Sequence, residues 1–172
     1  MAPTLEILFS AATLAARVGE LGAQIASDYG DKPLSLVSVL KGSFVFAADL
    51  ARAVDLPARI DFLGVRSYGP GTETSGVVQI THDLSRPIEG EHVLLVEDII
   101  DTGLTIAHLV NLLSTRGPAS IRVCTLLHKP TRERVRVPID YCGFTIEDRF
   151  VVGYGMDADE SYRNLPYVAV LR

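Results

Sequence analysis

Residues 93–105, VLLVEDIIDTGLT, decide how this chain is read. Val93, Leu94, Leu95 and Val96 make the short apolar run of a strand buried on both faces, and Glu97 and Asp98 are expected to end it. Beyond Ile99 and Ile100, the turn Asp101-Thr102-Gly103 supplies short polar side chains and a glycine, so the backbone can bend tightly and turn several N–H groups toward a ligand. Ile106, Leu109, Val110 and Leu113 then recur at helical steps, and Arg116-Gly117-Pro118 combines a cation, a glycine and a proline as a stop signal. A strand, a small-residue loop and a helix N-terminus together favour phosphate through aligned N–H dipoles. This one stands beside two acids.

The flanking sequence repeats the pattern. Ser10 is a plausible N-cap for a helix striped by Leu14, Val18, Leu21 and Ile25 and closed by Gly30 and Pro33. Residues 34–40 alternate serine with aliphatics as a strand does, and Lys41-Gly42-Ser43 turns into an apolar helix over 44–54. Further strands are expected at 59–65 and 77–81, separated by the Gly/Ser/Thr-rich loop SYGPGTETSG. Residues 121–127 and 141–146 are strand candidates, and 150–154 is a short apolar run. Strands alternating with helices imply a mostly parallel sheet covered on both faces, with ligands outside the carboxyl ends of the strands. Lys41, the Glu97–Asp98 pair and Lys129 all follow predicted strands, so one crevice can collect them.

Composition narrows the class. With 172 residues, 48% of them hydrophobic, the chain suits one α/β domain over 1–172 that needs no metal or disulfide to fold. The net charge of -5, from 21 acidic and 16 basic residues, disfavours nonspecific nucleic-acid binding, which normally begins with a basic surface. Cys124 and Cys142 lack a CxxC spacing and read as buried thiols in a reducing compartment. MAPTLEILFS has no basic leader before a long apolar core, and no segment reaches the roughly 18 apolar residues needed to span a bilayer. A cytoplasmic protein without membrane contact is expected.

At VLLVEDIIDTGLT the chain closely resembles the phosphoribosyl-diphosphate-binding motif of the type I phosphoribosyltransferases. Leu40-Lys41-Gly42, the Ser67-Tyr68 pair, residues 126–129, and Phe150-Val151-Val152-Gly153-Tyr154 followed by Asp157 and Arg163 are similar to the hypoxanthine-guanine branch of that family. The similarity runs in order over about residues 35–170. Several ordered motifs at compatible spacing are much harder to assemble by accident than one Glu-Asp pair. The resemblance implies a mostly parallel twisted sheet flanked by helices, with a small hood formed by the terminal segments. It also implies purine salvage: a 6-oxopurine, hypoxanthine or guanine, takes the ribose 5-phosphate of phosphoribosyl diphosphate, giving IMP or GMP and pyrophosphate, with magnesium as cofactor. A homodimer or homotetramer is the expected assembly.

By the same resemblance, the turn of Asp101, Thr102, Gly103, Leu104 and Thr105 holds the 5-phosphate. Some relatives carry a basic residue where Leu104 stands, so the backbone has to do more here. Glu97 and Asp98 face the ribose hydroxyls and a hydrated magnesium, a hard cation suited to carboxylates. Asp101 is the acid/base near N7 of the purine. Lys41, Gly42 and Arg163 contact the diphosphate, with Ser67 and Tyr68 opening a loop that closes over it. Lys129 donates to O6, Phe150 stacks on the base, the Val151 backbone reads its edge, and Asp157 meets a second magnesium or the 2-position.

Each residue alone has a plainer reading: a helix cap for Asp101 and Thr102, a solvated strand end for Glu97 and Asp98, a core aromatic for Phe150, surface charge for Lys41, Arg163 and Asp157. The rivals to the whole are an adenine or xanthine enzyme of the same fold and a nucleotide-sensing regulator without catalysis. Lys129 argues against a 6-amino acceptor, because an ammonium donates to a carbonyl and not to an amine. Only Arg132, Arg134 and Arg136 cluster densely enough to suggest nucleic acid.

Overall fold

The computed structural model describes residues 4–67 and 78–172. The parallel sheet has the order β4-β3-β2-β5-β6-β7, built from β2 (Leu34–Leu40), β3 (Ala58–Ser67), β4 (Val78–His82), β5 (His92–Ile100), β6 (Ser120–His128) and β7 (Tyr141–Thr145). Only the β3–β4 pair is antiparallel. Alternate side chains of the central strands feed two cores. Leu34, Leu36, Leu94, Val96, Cys124 and Leu126 pack under α1 (Ala11–Tyr29) and α2 (Phe44–Ala53). Val37, Val39, Val93, Leu95 and Val123 face α3 (Leu104–Ser114) on the other side. Near-continuous apolar strands follow from a sheet covered on both faces.

Helix α1 begins and ends where short-range chemistry says it should. Ser10 Oγ accepts the Thr13 N–H at 3.1 Å, and Gly30, at φ +57°, sends its N–H to Ala26 O. Gly22 lets α1 and α2 touch: a Cβ there would lie 2.5 Å from Ala53 O. Helix α2 ends at Ala53, one residue before the expected boundary.

Strand β5 does not stop at Glu97 as expected. Its ladder with β6 continues through Glu97↔Thr125, Ile99↔Leu127 and Ile100↔His128, because Ile99 and Ile100 supply apolar surface beyond the acids. The two carboxylates therefore lie inside the sheet. The chain ends form a second, antiparallel sheet, β1-β9-β8, from β1 (Leu5–Phe9), β9 (Val168–Leu171) and β8 (Val151–Val152). This is the hood expected over the sheet, although the sequence reading placed no strand at 5–9 or 168–171.

Candidate active site

Connections from the two central strands diverge. β2 leads through α2 to β3 on one side, and β5 leads through α3 to β6 on the other. The crevice at their carboxyl ends is the topological switch point, where open α/β sheets bind ligands. Ser43 fastens the turn after β2, its hydroxyl donating to Val39 O at 2.7 Å. The Leu40–Lys41 peptide in this turn is cis.

At the end of β5, Glu97 is 8% exposed. Asp98 N–H donates to Glu97 Oε1 at 3.1 Å, and Ile99 N–H to Asp98 Oδ1 at 2.8 Å. Burial pushes the Glu97 carboxyl well above the usual carboxylate range, and the neighbouring Asp98 charge adds to this. Burial raises Asp98 as well. Gly42 lies directly against Asp98; a Cβ on it would fall 1.9 Å from Oδ2, so only glycine lets the β2 turn come this close. The solvated strand end is thus the wrong reading of these acids.

A cavity of about 130 Å³ opens beyond them, bounded by Glu97, Asp98, Thr102, Gly103 and Thr105 at the start of α3. Gly103 is the N-cap at φ +79°, and no side chain caps the helix. A Cβ there would sit 2.1 Å from Val135 O. Thr102 O accepts the N–H groups of Arg134 and Val135 at 2.9 and 3.1 Å, pinning the turn. The Thr102 hydroxyl reaches Leu104 N only at 3.4 Å. An uncapped, positively polarised helix end facing a small cavity suits an anion. Asp101 is not the cap; its Oδ1 accepts from Arg132 Nε at 3.1 Å, and Arg132 is also 3.8 Å from Asp148.

A second cavity of about 200 Å³ shares Asp98 as a wall and is lined by Asp101, Lys129, Phe150, Val151, Met156 and Asp157. Every residue expected to recognise the purine meets here. Phe150 is 57% exposed, so it is not a core aromatic. Its carbonyl accepts from Leu171 N–H, which holds it to the hood. Lys129 is 6% exposed, fixed by its N–H to Ile100 O, with its ammonium 3.5 Å from Asp148. Met156, Asp148 and Arg132 have no role here in the sequence analysis, where Arg132 stands out only within a basic cluster; the pairs that tie it to Asp101 and Asp148 are long-range.

Lys41 Nζ pairs with Glu160 Oε2 at 2.8 Å. Arg163 donates to Gly155 O at 2.8 Å and pairs with Asp157 at 2.9 Å, while its Nε is buried without a partner among the described residues. Asp157 also accepts the Glu160 N–H at 2.8 Å. Ser67 closes β3, and Tyr68 with the rest of the expected lid lies outside the described residues. Among the described residues no cluster of three or more His, Cys, Asp or Glu groups forms a closed metal cage. Glu97 and Asp98 fit a magnesium ion, which usually takes one or two carboxylates and completes its shell with water and substrate oxygens. Two adjacent acids, one buried and one half-buried and each held toward its neutral form, are the arrangement that a hard cation relieves.

Larger hollows exist elsewhere. One of about 340 Å³ lies at the amino ends of β2 and β3, but its carboxylates are engaged: Glu91 binds Arg59 and Ser35, and Asp61 binds Ser85. Glu97, Asp98 and the uncapped helix are at the carboxyl ends, which makes that end the candidate site despite its smaller cavities. No helix among the described residues is long and apolar enough to cross a membrane.

Comparison with known proteins identifies the family. The profile of the phosphoribosyl transferase domain matches residues 5–159. Hypoxanthine-guanine phosphoribosyltransferase of Mycobacterium avium is 49% identical over 171 residues, covering 96% of this chain and 84% of that protein. Hypoxanthine phosphoribosyltransferase of Escherichia coli K12 is 46% identical, covering 98% of this chain and 96% of its own. The crystal structure of a hypoxanthine phosphoribosyltransferase from Staphylococcus aureus superposes with a TM-score of 0.94 at 45% identity, covering 97% of this chain and 91% of that one. The switch-point crevice, the terminal hood and these likenesses converge: the chain belongs to the phosphoribosyl transferase domain family, with the type I fold.

Proposed function

We propose that this phosphoribosyltransferase moves the 5-phosphoribosyl group of phosphoribosyl diphosphate to hypoxanthine or guanine, releasing pyrophosphate and giving IMP or GMP. One observation carries the reading. Asp98 is the common wall of two cavities, one ending on the bare α3 N-terminus and the other on Lys129 and Phe150. A donor in the first and a base in the second would meet beside Asp98.

In that complex the Asp101–Thr105 turn holds the 5-phosphate through backbone N–H groups. Lys129 donates to O6, Phe150 covers the ring, and Asp101 takes the N7 proton as the N9–C1′ bond forms and the C1′–O bond to diphosphate breaks. Lys41, Gly42 and Arg163 receive the diphosphate. Glu97 and Asp98 hold the ribose hydroxyls and magnesium, which would screen the phosphate charge as the leaving group departs. Asp157 serves the 2-position of the base or a further metal ion. Dimer or tetramer formation, a single domain and a cytoplasmic location complete the proposal, the first checked by sedimentation.

The net charge of -5 and the pairing of Arg132 of the basic cluster with Asp101 weigh against the regulator alternative. Incubation with phosphoribosyl diphosphate and magnesium, offering hypoxanthine, guanine, xanthine and adenine separately, tests the assignment. Nucleotide from the first two is expected and none from adenine; no product from any purine would end the enzymatic reading.

A further inference from the structure

The two cations assigned to the diphosphate already share a partner. Lys41 Nζ stands 2.8 Å from Glu160 Oε2, and Arg163 Nη2 stands 3.4 Å from Oε1 of the same carboxylate. Lys41 follows β2 and Arg163 precedes β9, so one carboxylate bridges two separate elements, as a diphosphate group would. Lys41 holds the Glu160 carboxyl below the usual range, keeping it an anion.

The turn carrying Glu160 is shaped to present it. Ala158 and Ser161 exchange backbone hydrogen bonds at 3.2 and 3.0 Å, and Asp157 Oδ2 accepts the Glu160 N–H. Asp159, Glu160 and Tyr162 adopt φ of +49°, +60° and +75°, a region that L side chains enter at a cost and that persists only where surrounding ties impose it. Such strain clusters at ligand clamps. The same Asp157 also pairs with Arg163 and lines the base cavity, so the turn touches both halves of the site.

We propose that Glu160 is a resident counter-ion of the donor site: it occupies the corner between Lys41 and Arg163, competes with the diphosphate for both, and by returning to them speeds the departure of pyrophosphate. This rests on the reading of Lys41 and Arg163 as diphosphate groups. The Lys41–Glu160 pair is solvent-exposed, and exposed pairs are weak, so Glu160 tunes release and does not block entry. Its removal leaves Lys41 without its carboxylate and Arg163 with Asp157 alone, so both grip the product harder.

Calorimetric titration of the full chain with magnesium pyrophosphate is the test, on wild type, Glu160→Gln, Lys41→Met and the double variant. Glu160→Gln keeps the backbone tie to Asp157 and should bind two- to fivefold tighter, a gain that shrinks or vanishes when Lys41 is already Met. Inhibition of nucleotide formation by pyrophosphate should strengthen by the same factor while KM for the purine stays unchanged, a split that a merely structural role would not produce. Glu160→Gln binding pyrophosphate as wild type or more weakly, with Lys41→Met weakened, overturns the counter-ion alone. Lys41→Met binding as tightly as wild type removes Lys41 from the diphosphate site, and the counter-ion with it.

Discussion

The acids at the amino ends of the central sheet and the Glu97–Asp98 pair at the end of β5 are similar side chains treated oppositely. At the amino ends, Glu91 bonds Arg59 and Ser35, Asp61 accepts Ser85 through both its backbone and its hydroxyl, and Asp83 takes a two-pronged Arg116. At the end of β5, buried Glu97 and half-buried Asp98 stand side by side and accept backbone N–H groups, with no ion pair to either among the described residues, and α3 begins without a cap. Satisfied charge marks structure. Charge left in want of a partner, at a cost to stability, marks the place where a ligand is awaited. The contrast can be broken or sharpened by substitutions of matched chemistry at the two ends.

The largest effect is expected at Asp101. Asp101→Asn removes the proton acceptor and should lower kcat by about 10²–10⁴-fold, while the melting temperature hardly moves, because Asp101 contacts Arg132 in the open and does not cap α3. Steady-state rates and a thermal melt on the same sample separate the two; wild-type turnover would strike Asp101 from the mechanism. Next comes Lys129→Gln, which should lower kcat/KM for hypoxanthine by about 10- to 100-fold, the range expected when a hydrogen bond from a charged group is lost. Binding of phosphoribosyl diphosphate measured in parallel should hold, because Lys129 lies in the base cavity. An equal loss of donor binding would mean that Lys129 supports the fold and does not read O6.

The third prediction compares one change at both ends. Glu97→Gln removes a buried carboxylate whose ionisation is opposed by burial and by Asp98, so without magnesium it should stabilise the protein by about 1 kcal/mol. Glu91→Gln weakens satisfied contacts to Arg59 and Ser35 and should destabilise by about 0.5–1 kcal/mol. Urea unfolding at neutral pH reads both signs. Two losses of equal size would erase the distinction between frustrated and satisfied charge.

The same distinction separates what sequence alone reveals from what it hides. Ser10, Gly30 and the stripe of α1 are local, and the structure keeps them: cap, stop and buried face each depend on neighbours within a few residues. The motif 93–105 was legible because a strand, a turn and a helix start sit within one short stretch. What failed was non-local. Strands β1 and β9 stabilise one another from opposite ends of the chain, so neither has a periodic signature of its own. Glu97 and Asp98 look like a strand end until β6 is present to extend the ladder. Phe150 looks like core until β9 ties the hood over the crevice and leaves its ring outside. The candidate site residues were proposed from their order along the chain; the bridges Arg132–Asp148 and Glu160–Lys41 were not, since a long-range ion pair has no spacing to read.

The smallest predicted effect lies at the satisfied end and has a definite sign. Arg116 donates to both oxygens of Asp83, at 2.7 and 3.0 Å, and this holds the Asp83 carboxyl below the usual carboxylate range. A carboxylate with a lowered folded-state value adds stability above its unfolded value and loses it as pH falls through the folded one. Both side chains reach solvent, so the contribution is about 0.5 kcal/mol. Asp83→Asn should therefore lower the melting temperature slightly at neutral pH, and the gap from wild type should close as the buffer is taken below about pH 4, where unfolded aspartate also protonates. A gap that persists unchanged in acid would show that Asp83 acts through shape and not charge, and the contrast between the two ends would then rest on Glu91 and Glu97 alone.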